Sequence, residues 1–311
     1  MSYWSSIPKK IFTSEDINSH SDELSDGLEW KYDLGDELVD FYNNYYNEGN
    51  ITNKFTLDYL LWSMGDIKVG IVCCKNTLVG VISGRICTLR IDGEEKKCIN
   101  ISNMVIHPDY RNRKLAPILM TKAYKEGCKL TNLPILMFSK VGDDNFPGEY
   151  AKCIAKYIPI NTSKTISADI STPKCNSFSL FHPKKYDELT SIQAIEIVKT
   201  LPYSLLHIPE ERDFNQPFIK IIGNDKECIV MAICNGYNRM KKIEYSIGYI
   251  HLVVGDEVNL LNSILNLYPV DIIQITNPPN SYSKYTNGHL PIHIHLLNID
   301  KTIKNSKFFL F

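Results

Sequence analysis

Several features that mark common functional sites are missing from this sequence. None of the nine cysteines stands in a C-x-x-C pair, the spacing that many zinc sites and thiol redox motifs use. The odd number of cysteines, with Cys73 and Cys74 adjacent, does not suggest a disulfide framework. His289, His293 and His295 lie close together, but no nearby cysteine or carboxylate completes a metal set. The sequence therefore predicts a protein of a reducing, cytoplasmic compartment with no metal site.

Long apolar segments are missing as well. No run of about 18 apolar residues is present, the length that a membrane-spanning helix requires. The first residues, MSYWSSIPKKIF, have no apolar core of the kind found in signal peptides. We therefore expect neither a membrane span nor a secretion signal.

Neither sign of charge dominates the chain. The 34 lysines and arginines nearly balance the 35 aspartates and glutamates, which gives a formal net charge of −1. Because this balance creates no global field that attracts nucleic acid or an anionic membrane, any basic binding site must be local. The 311 residues, 44 % of them apolar, are enough for two domains with a sizeable core, and we expect a monomer.

Apolar periodicity predicts the same order of elements twice along the chain. After two early helices, turn signals separate the strands of an antiparallel meander, and a helix and a buried strand follow. The predicted strands are residues 69–74, 78–83, 86–91, 98–106 and 135–138, with a helix at 114–129. A polar stretch at 161–176 is predicted to join the halves. The second half has predicted helices at 191–201 and 257–267, and strands at 219–223, 228–234, 243–254, 270–276 and 290–297.

The segment at 102–117 carries the strongest chemical signal. A strand runs into a short basic turn, and the turn opens a helix directly. Backbone N–H groups at a helix N-terminus lack partners and point along a favourable dipole, so a pyrophosphate bound there is stabilised. Arg111, Arg113 and Lys114 add positive charge, and Pro117 suits a first helical turn. This pattern predicts a site for a pyrophosphate group.

The basic turn resembles the pyrophosphate-binding turn of the GNAT acyltransferase superfamily, in which R/Q-x-x-G-x-G/A follows a strand. Lys114 and Ala116 stand where that motif usually has glycine. The version R-x-[KR]-[KR]-L-A-P is typical of protein N-myristoyltransferases, a GNAT-derived family of two fused GNAT-like halves. The segment RNRKLAPILM looks like theirs.

The resemblance extends over nearly the whole chain. Residues 3–8, YWSSIP, are similar to the family's F-W-x-T-Q-P, the N-terminal arm that folds over CoA. Residues 55–64 resemble its F-L-x-W-A-L helix, 137–139 occupy the place of V-Y-T, and 286–290 that of G-D-G-N-L. The order and spacing of these matches together are more specific than any one of them.

The resemblance implies a fold and a division of labour. The expected fold class is α/β, with two fused GNAT-like halves, mixed and mostly antiparallel sheets flanked by helices, and a pseudo-two-fold relation. Residues 1–164 would hold the acyl-CoA. Residues 165–311 would supply much of the peptide groove and the C-terminal carboxylate.

The resemblance also implies an activity, the transfer of a long acyl chain (myristoyl) from acyl-CoA to the N-terminal glycine amine of a protein. Acyl-CoA is then a co-substrate, and no cofactor is tightly bound. The backbone N–H groups of Asn103 and Met104 would form the oxyanion hole, and the carboxylate of Phe311 would act as the base. The implied acyl-CoA-binding residues are Ser2, Tyr3, Trp4, Asn103, Met104, Val105, Ile106, Arg111, Asn112, Arg113, Lys114, Leu115 and Ala116. The implied substrate-binding residues are Ser102, Phe138, Ser139, Tyr157, Tyr249, His251 and Gly288.

The sequence departs from the family pattern on the peptide side. The acidic E-D-D-D loop corresponds to residues 47–51, which are fewer and retain one acid, and Tyr157 replaces a histidine. Two other functions therefore stay open: acetyl transfer to an amine, as in other GNAT enzymes, and acyl-CoA binding without turnover. The partners expected are acyl-CoA and proteins or peptides that begin with glycine, with no nucleic acid.

Overall fold

The computed structural model describes residues 21–46, 49–73, 76–132, 134–141, 149–171, 185–202, 205–276 and 289–297, together with Ser19 and Leu180. Contacts between Cα atoms divide the chain into two units. The described residues of the first unit fall within 1–48, 55–152 and 293–305, and those of the second fall within 49–54 and 153–292. The predicted boundary between residues 164 and 165 falls within a helix of the second unit.

Most of the predicted helices and strands occur in the predicted order, and further strands and short helices lie between them. In chain order the strands are β1 (Leu28–Lys31), β2 (Ile51–Lys54), β3 (Ile67–Cys73), β4 (Thr77–Ile91), β5 (Glu94–Ile106), β6 (Ile135–Val141), β7 (Glu149–Pro159), β8 (Asp187–Glu188), β9 (Leu205–Ile208), β10 (Ile219–Gly223), β11 (Cys228–Asn238), β12 (Ile243–Val254), β13 (Ile272–Thr276) and β14 (His289–Leu297). The helices are α1 (Glu37–Tyr45), α2 (Leu57–Met64), α3 (Leu115–Leu130), α4 (Thr162–Ser167), α5 (Ser191–Lys199), α6 (Glu211–Phe214) and α7 (Glu257–Leu267). Among the described helices, none is long and apolar enough to cross a membrane.

The sheet of the first unit contains β1, β3, β4, β5 and β6 in that order. Neighbours are antiparallel except β5 and β6, which pair in parallel with α3 between them in sequence. The hairpin of β4 and β5 closes at Asp92 and Gly93, which both have a positive φ, as tight hairpin turns require. The predicted antiparallel meander is therefore confirmed.

One part of the meander prediction is wrong, because the strands predicted at 78–83 and 86–91 form the single strand β4. Gly84 pairs with Ile67 on one side and Ile101 on the other, so no break occurs there. A Cβ atom at Gly84 would lie 3.1 Å from the Ile101 side chain and 3.2 Å from that of Ile99. The glycine makes room for these isoleucines within a continuous strand.

Helices cover both faces of the first sheet. The side chains of Leu119 and Ala123 on α3 pack against Ile71, Ile82 and Ile99. On the other face, residues of α1 and α2 form a second core cluster with β3, β4 and β5. This second cluster includes Leu38, Phe41, Tyr42, Leu60, Met64, Val72, Val81 and Val105. The fold thus places α1 and α2 beneath one end of β5 and α3 on the opposite face.

The second unit repeats this arrangement. Strands β8, β10, β11 and β12 are antiparallel neighbours, and β12 pairs in parallel with β13 after the intervening helix α7. Strand β7 pairs with β13, and β2 adds to β11, both antiparallel. The predicted helix at 257–267 is confirmed to the residue. The stretch predicted as a linker at 161–176 contains α4 instead, with the side chain of Asn161 accepting from Lys164 N–H at its start.

Candidate functional site

Strand β5 carries a one-residue bulge at Asn103 and Met104. In the ladder with β4, Ser83 lies opposite Ser102 and Val81 opposite Val105, so one residue of β4 is matched by two of β5. Asn103 has a φ of 53°, in the left-handed region that asparagine tolerates better than most residues. A bulge takes the backbone of its extra residue out of the regular ladder. Backbone N–H groups are thereby available for another partner.

Beyond the bulge, the alternation of β5 side chains between the two faces of the sheet is reversed. Ile99 and Ile101 pack in the cluster with α3, whereas Val105 packs with α1 and α2. In a regular strand Ile101 and Val105, four residues apart, would lie on the same face. Met104 lies at the reversal, with 42 % of its surface exposed.

Side chains of α1, α2 and β4 form hydrogen bonds with the bulge. The Tyr42 hydroxyl of α1 donates a hydrogen bond to the Asn103 carbonyl. The side-chain amide of Asn103 donates to Ser63 Oγ at 3.2 Å and to Ser83 Oγ at 3.4 Å. Tyr42 and Ser83 are fully buried, and burial raises the pKa of the Tyr42 phenol well above its ordinary value. The phenol therefore stays protonated and keeps donating.

The parallel ladder between β5 and β6 ends just before the bulge. Its pairs run from Cys98 and Ile135 to Ile101 and Phe138. Strand β5 nevertheless continues to Ile106 and β6 to Val141. The two strands therefore separate at the level of the bulge, and a group placed between them would meet its backbone.

A short turn follows β5, and His107 fixes its start. The His107 N–H donates to the Val79 carbonyl at 2.9 Å, and His107 Nδ1 accepts from the Asp109 N–H at 3.2 Å. The His107 ring also lies against Tyr45, with 4.4 Å between centroids. One ring nitrogen of His107 is thus engaged in a 3₁₀ turn over Pro108–Tyr110.

The basic residues of the turn have different environments. Arg111 Nε donates to the Ile106 carbonyl at 3.1 Å, which fixes the guanidinium against the end of β5. The Arg113 guanidinium lies 4.6 Å from the centroid of the Tyr110 ring. Residues 111–114 are all exposed. The turn therefore presents a local positive charge in a chain whose net charge is −1.

Helix α3 begins immediately after this turn without a side-chain cap. Lys114 precedes the first helical residue with a φ of 59°, and its side chain makes no capping hydrogen bond. The first N–H groups of an α-helix have no partner within the helix and carry partial positive charge. The positive φ at Lys114 is a conformation that glycine adopts without strain. An uncapped helix start beside exposed arginines suits a pyrophosphate.

The segment that carries this arrangement matches a known protein family. Residues 8–134 match the family model described as Myristoyl-CoA:protein N-myristoyltransferase, N-terminal domain. The matched range contains the bulge, the basic turn and the whole of α3. The match covers 127 of the 311 residues, and over this segment the chain is similar to N-myristoyltransferases.

Two curated relatives are both named glycylpeptide N-tetradecanoyltransferase. The protein of Kluyveromyces lactis is 26 % identical over 221 residues, which is 66 % of this chain and 46 % of that protein. The protein of Eremothecium gossypii is 25 % identical over 186 residues, 55 % of this chain and 40 % of that protein. The matched stretch thus spans less than half of each relative.

Solved structures of Saccharomyces cerevisiae N-myristoyltransferase share the fold. One with bound myristoyl-CoA has a TM-score of 0.77 at 15 % identity, over 93 % of this chain and 83 % of that one. Another, with bound myristoyl-CoA and inhibitors, also has a TM-score of 0.77, at 16 % identity, over 94 % and 86 %. The predicted α/β fold class is confirmed, and the chain shares the fold of these N-myristoyltransferase structures.

The structure brings one group of the predicted N-myristoyltransferase site residues together. All of those between Ser102 and Ala116 lie along the end of β5, the turn and the first turn of α3. Phe138 is buried at the last pair of the β5 and β6 ladder, and Ser139 follows it with an exposed side chain. The thioester and pyrophosphate positions predicted from sequence therefore lie on one continuous segment of the first unit.

Other predicted site residues lie elsewhere. Tyr157 and Tyr249 pack in one cluster of the second unit, and the Tyr249 hydroxyl donates to Asn53 Oδ1 at 2.9 Å. His251 is half-buried on β12. Five predicted residues lie outside the described part of the chain: Ser2, Tyr3, Trp4, Gly288 and Phe311. Within the described ranges no group of three or more histidine, cysteine, aspartate or glutamate side chains is placed to hold a metal ion.

The residues that support the bulge were not predicted from the sequence. They are Tyr42, Ser63 and Ser83. Tyr42 lies on the buried face of α1, among other core residues. Its hydroxyl acts on a carbonyl 61 residues later in the chain. No local pattern reports a contact of that kind.

Proposed function

We propose that this chain is an N-acyltransferase that moves a long-chain acyl group, myristoyl, from CoA to the N-terminal glycine amine of a protein or peptide. The observation that carries this proposal is the bulge at Asn103 and Met104, next to the uncapped basic start of α3. It supplies backbone donors for a thioester oxygen and a cradle for the CoA pyrophosphate. Both belong to the segment that matches the N-myristoyltransferase model.

The reaction joins the glycine nitrogen to the acyl carbon and breaks the carbon–sulfur bond of the thioester. Charge develops on the thioester oxygen as the amine attacks, and the N–H groups of Asn103 and Met104 would stabilise it. Such donors typically lower a barrier by about 3 kcal/mol each. The amine loses a proton and CoA leaves as the thiol.

Arg111, Arg113 and Lys114 would bind the pyrophosphate through charge, with the N–H groups of Leu115 and Ala116 as further donors. Asn112 has a φ of 65°, which shapes the turn between the two arginines. The buried Phe138 and the exposed Ser139 would border the acyl and amine positions. The roles of Ser2, Tyr3 and Trp4 over CoA, and of Gly288 beside the peptide, remain predictions from the family resemblance.

A base is needed because an N-terminal amine has a pKa of about 8 and is mostly protonated at neutral pH. The family resemblance assigns this role to the carboxylate of Phe311. Adding one residue after Phe311 tests the assignment. Loss of transfer with retained acyl-CoA binding supports it, and full transfer activity contradicts it.

The deciding experiment incubates the purified chain with myristoyl-CoA and a panel of peptides that begin with glycine. We expect mass spectrometry to show a gain of one tetradecanoyl group on some peptides, together with release of one CoA per acylated peptide. The matched controls are the same peptides with an acetylated N-terminus, which have no amine to react.

Parallel reactions with acetyl-CoA separate the other functions. Transfer of acetyl but not myristoyl groups would indicate an ordinary GNAT acetyltransferase. Tight binding of myristoyl-CoA with no CoA release on any peptide would indicate an acyl-CoA-binding protein. We further propose a monomer and a cytoplasmic location, and the location fits the lack of a disulfide-like cysteine pattern.

A further inference from the structure

The peptide group between Asn103 and Met104 has a partner on its carbonyl side. The Tyr42 hydroxyl, from α1, donates to the Asn103 carbonyl oxygen. The N–H of the same peptide group belongs to Met104, one of the two donors proposed for the thioester oxygen. We propose that Tyr42 is a positioning residue, which orients and polarises the Met104 N–H toward the thioester. This inference rests on the proposed function.

The orientation follows from peptide geometry. A trans peptide is planar, and its C=O and N–H bonds point in opposite directions. No cis peptide bond occurs in the described chain. Since the Asn103 carbonyl points at Tyr42 in the core between α1 and the sheet, the Met104 N–H must point away from that core. Tyr42 thus determines the direction of a donor that it does not touch.

Polarisation acts through the same peptide group. A hydrogen bond to a carbonyl oxygen draws electron density through the amide, which makes the N–H at its other end a stronger donor. The effect is greatest in a low-dielectric environment, and Tyr42 is fully buried. The Tyr42 ring packs among aromatic neighbours, edge-on to Phe55 with 5.8 Å between centroids and stacked on Tyr46 at 5.6 Å. The hydroxyl therefore has a fixed place to donate from.

A second set of contacts prevents the bulge from relaxing. The Asn103 amide donates to Ser63 Oγ and Ser83 Oγ, and Ser83 Oγ also donates to the Ser102 carbonyl at 3.2 Å. The side chain of Asn103 and the carbonyls on both sides of its Cα are consequently tied to α1, α2 and β4. Removal of the Tyr42 hydroxyl alone should leave the bulge in place and change the direction and strength of one N–H.

The test is Tyr42→Phe, which removes the hydroxyl and keeps the packed ring. We expect kcat to fall about 10-fold, less than the full loss of an oxyanion donor, which typically costs 100-fold or more. The KM and Kd for myristoyl-CoA should stay within about 2-fold, because a bond that matters mainly in the transition state contributes little to ground-state binding. The infrared carbonyl band of bound myristoyl-CoA, labelled with ¹³C at the thioester carbon, should shift less than in the wild type.

Tyr124→Phe is the matched control. The Tyr124 hydroxyl also donates to a backbone carbonyl, that of Pro134 at 2.7 Å, in a buried part of the same unit. Both variants lose one buried phenol–carbonyl hydrogen bond and should lose similar stability. Only Tyr42→Phe should lose kcat and the carbonyl shift. Equal kinetic losses in the two variants would reduce Tyr42 to a structural role and overturn the inference.

The infrared measurement keeps this inference separate from the proposed function. A wild-type carbonyl shift that Tyr42→Phe reduces would support the role of Tyr42, even if no peptide is acylated and the transferase proposal fails. Acylation by the wild type with an unchanged kcat and carbonyl shift in Tyr42→Phe would overturn the inference and leave the transferase proposal standing. A wild-type thioester band that does not move on binding would overturn it as well.

Discussion

Asn103 combines a left-handed backbone with two side-chain hydrogen bonds, and these two properties are separable by substitution. Asn103→Gly keeps the backbone conformation and loses the hydrogen bonds, whereas Asn103→Val loses both. We expect the valine variant to be less stable than the glycine variant by about 1–2 kcal/mol, the usual cost of a left-handed conformation for a residue with a Cβ atom. Urea unfolding of the two proteins measures the difference.

Asn76 provides the control for this prediction. It also has a positive φ, 57°, but lies in the turn before β4. Asn76→Val should show a similar loss of stability relative to Asn76→Gly, with myristoyl-CoA binding unchanged in both. If Asn103→Val is as stable as Asn103→Gly, the left-handed bulge does not exist in solution.

Glu257, the first residue of α7, gives a pH-dependent prediction. Burial raises the pKa of its carboxyl to about 7, and its Oε1 atom is buried with no hydrogen-bond partner among the described residues. Below the ordinary glutamate pKa of about 4.3 both folded and unfolded states are protonated, so no stability is lost there. Between that value and about 7 the unfolded state releases the proton first, so stability falls as pH rises.

The variant Glu257→Gln should abolish this decline. We expect it to be more stable than the wild type at pH 8, by on the order of 1 kcal/mol since the side chain is partly exposed, and not at pH 4. Thermal unfolding across this pH range measures the effect. Glu196→Gln, on an exposed side chain of α5, serves as the control. A constant difference between Glu257→Gln and wild type at all pH values would contradict the assigned pKa.

At the scale of single residues, the sequence predicted only sites whose residues lie close together in the chain. The segment from Ser102 to Ala116 was found because strand, basic turn and helix start follow one another directly. The buried hydroxyls of Tyr42 and Ser83 were missed because their partners lie 61 and 19 residues away. A buried tyrosine on a helix face looks the same in sequence whether or not its hydroxyl holds a distant carbonyl.

Helix α3 approaches the sheet most closely at Gly127. A Cβ atom there would lie 2.0 Å from Cδ1 of Ile99, so the helix or the side chain must move in Gly127→Ala. We expect a loss of about 1–3 kcal/mol from overpacking, reduced by the better helix propensity of alanine, which is worth about 1 kcal/mol. Urea unfolding measures the net change.

The double variant Gly127→Ala with Ile99→Val tests the cause. Valine lacks the Cδ1 atom that the new methyl group would strike, so the two substitutions should be less destabilising together than the sum of their separate effects. Simple additivity would mean that α3 shifts away from the sheet instead of meeting Ile99.

Elements with clear end signals were predicted best. Helix α7 follows an Asp256 cap, and α5 follows a capping box of Thr190 and Gln193. Strand β7 was not predicted, because lysines interrupt its apolar residues, and among the residues whose burial is described only Ala155, Ile158 and Pro159 are buried. Its position depends on pairing with β13, more than 100 residues later. Tertiary contacts, not local propensity, select such strands.

The net charge of −1 concerns the molecule as a whole, because it provides no long-range attraction for the anionic CoA. Binding should therefore depend on the few cations of the basic turn. We expect Arg113→Gln to weaken myristoyl-CoA binding about 5- to 10-fold at 50 mM salt, and less at 300 mM, where charges are more strongly screened. Titration at both salt concentrations measures this.

Lys97→Gln is the control, since Lys97 lies on β5 near the hairpin end and its ammonium donates to Thr88 Oγ1. Its myristoyl-CoA affinity should match the wild type at both salt concentrations. Equal weakening by the two substitutions would place the anion site elsewhere on the first unit.

Which residues belong to which unit is also a property of the whole molecule. The sequence could not predict it. Residues 49–54 belong to the second unit because β2 pairs with β11, about 185 residues later. The predicted division into two consecutive halves did not include this pairing, because β2 and β11 are far apart in the sequence. The repeated order of strands and helices was visible, since each repeat depends on local periodicity.

The bulge in β5 has a consequence for how this chain tolerates changes in length. Deleting one residue between Ile101 and Val105 would restore regular alternation, turn Val105 toward α3, and rotate the basic turn that follows by half a revolution about the strand. Adding or removing a residue at Asp92 and Gly93 would alter only an exposed hairpin end. Among relatives that keep the site, we therefore expect insertions and deletions to collect at the hairpin end and to be excluded from the bulge.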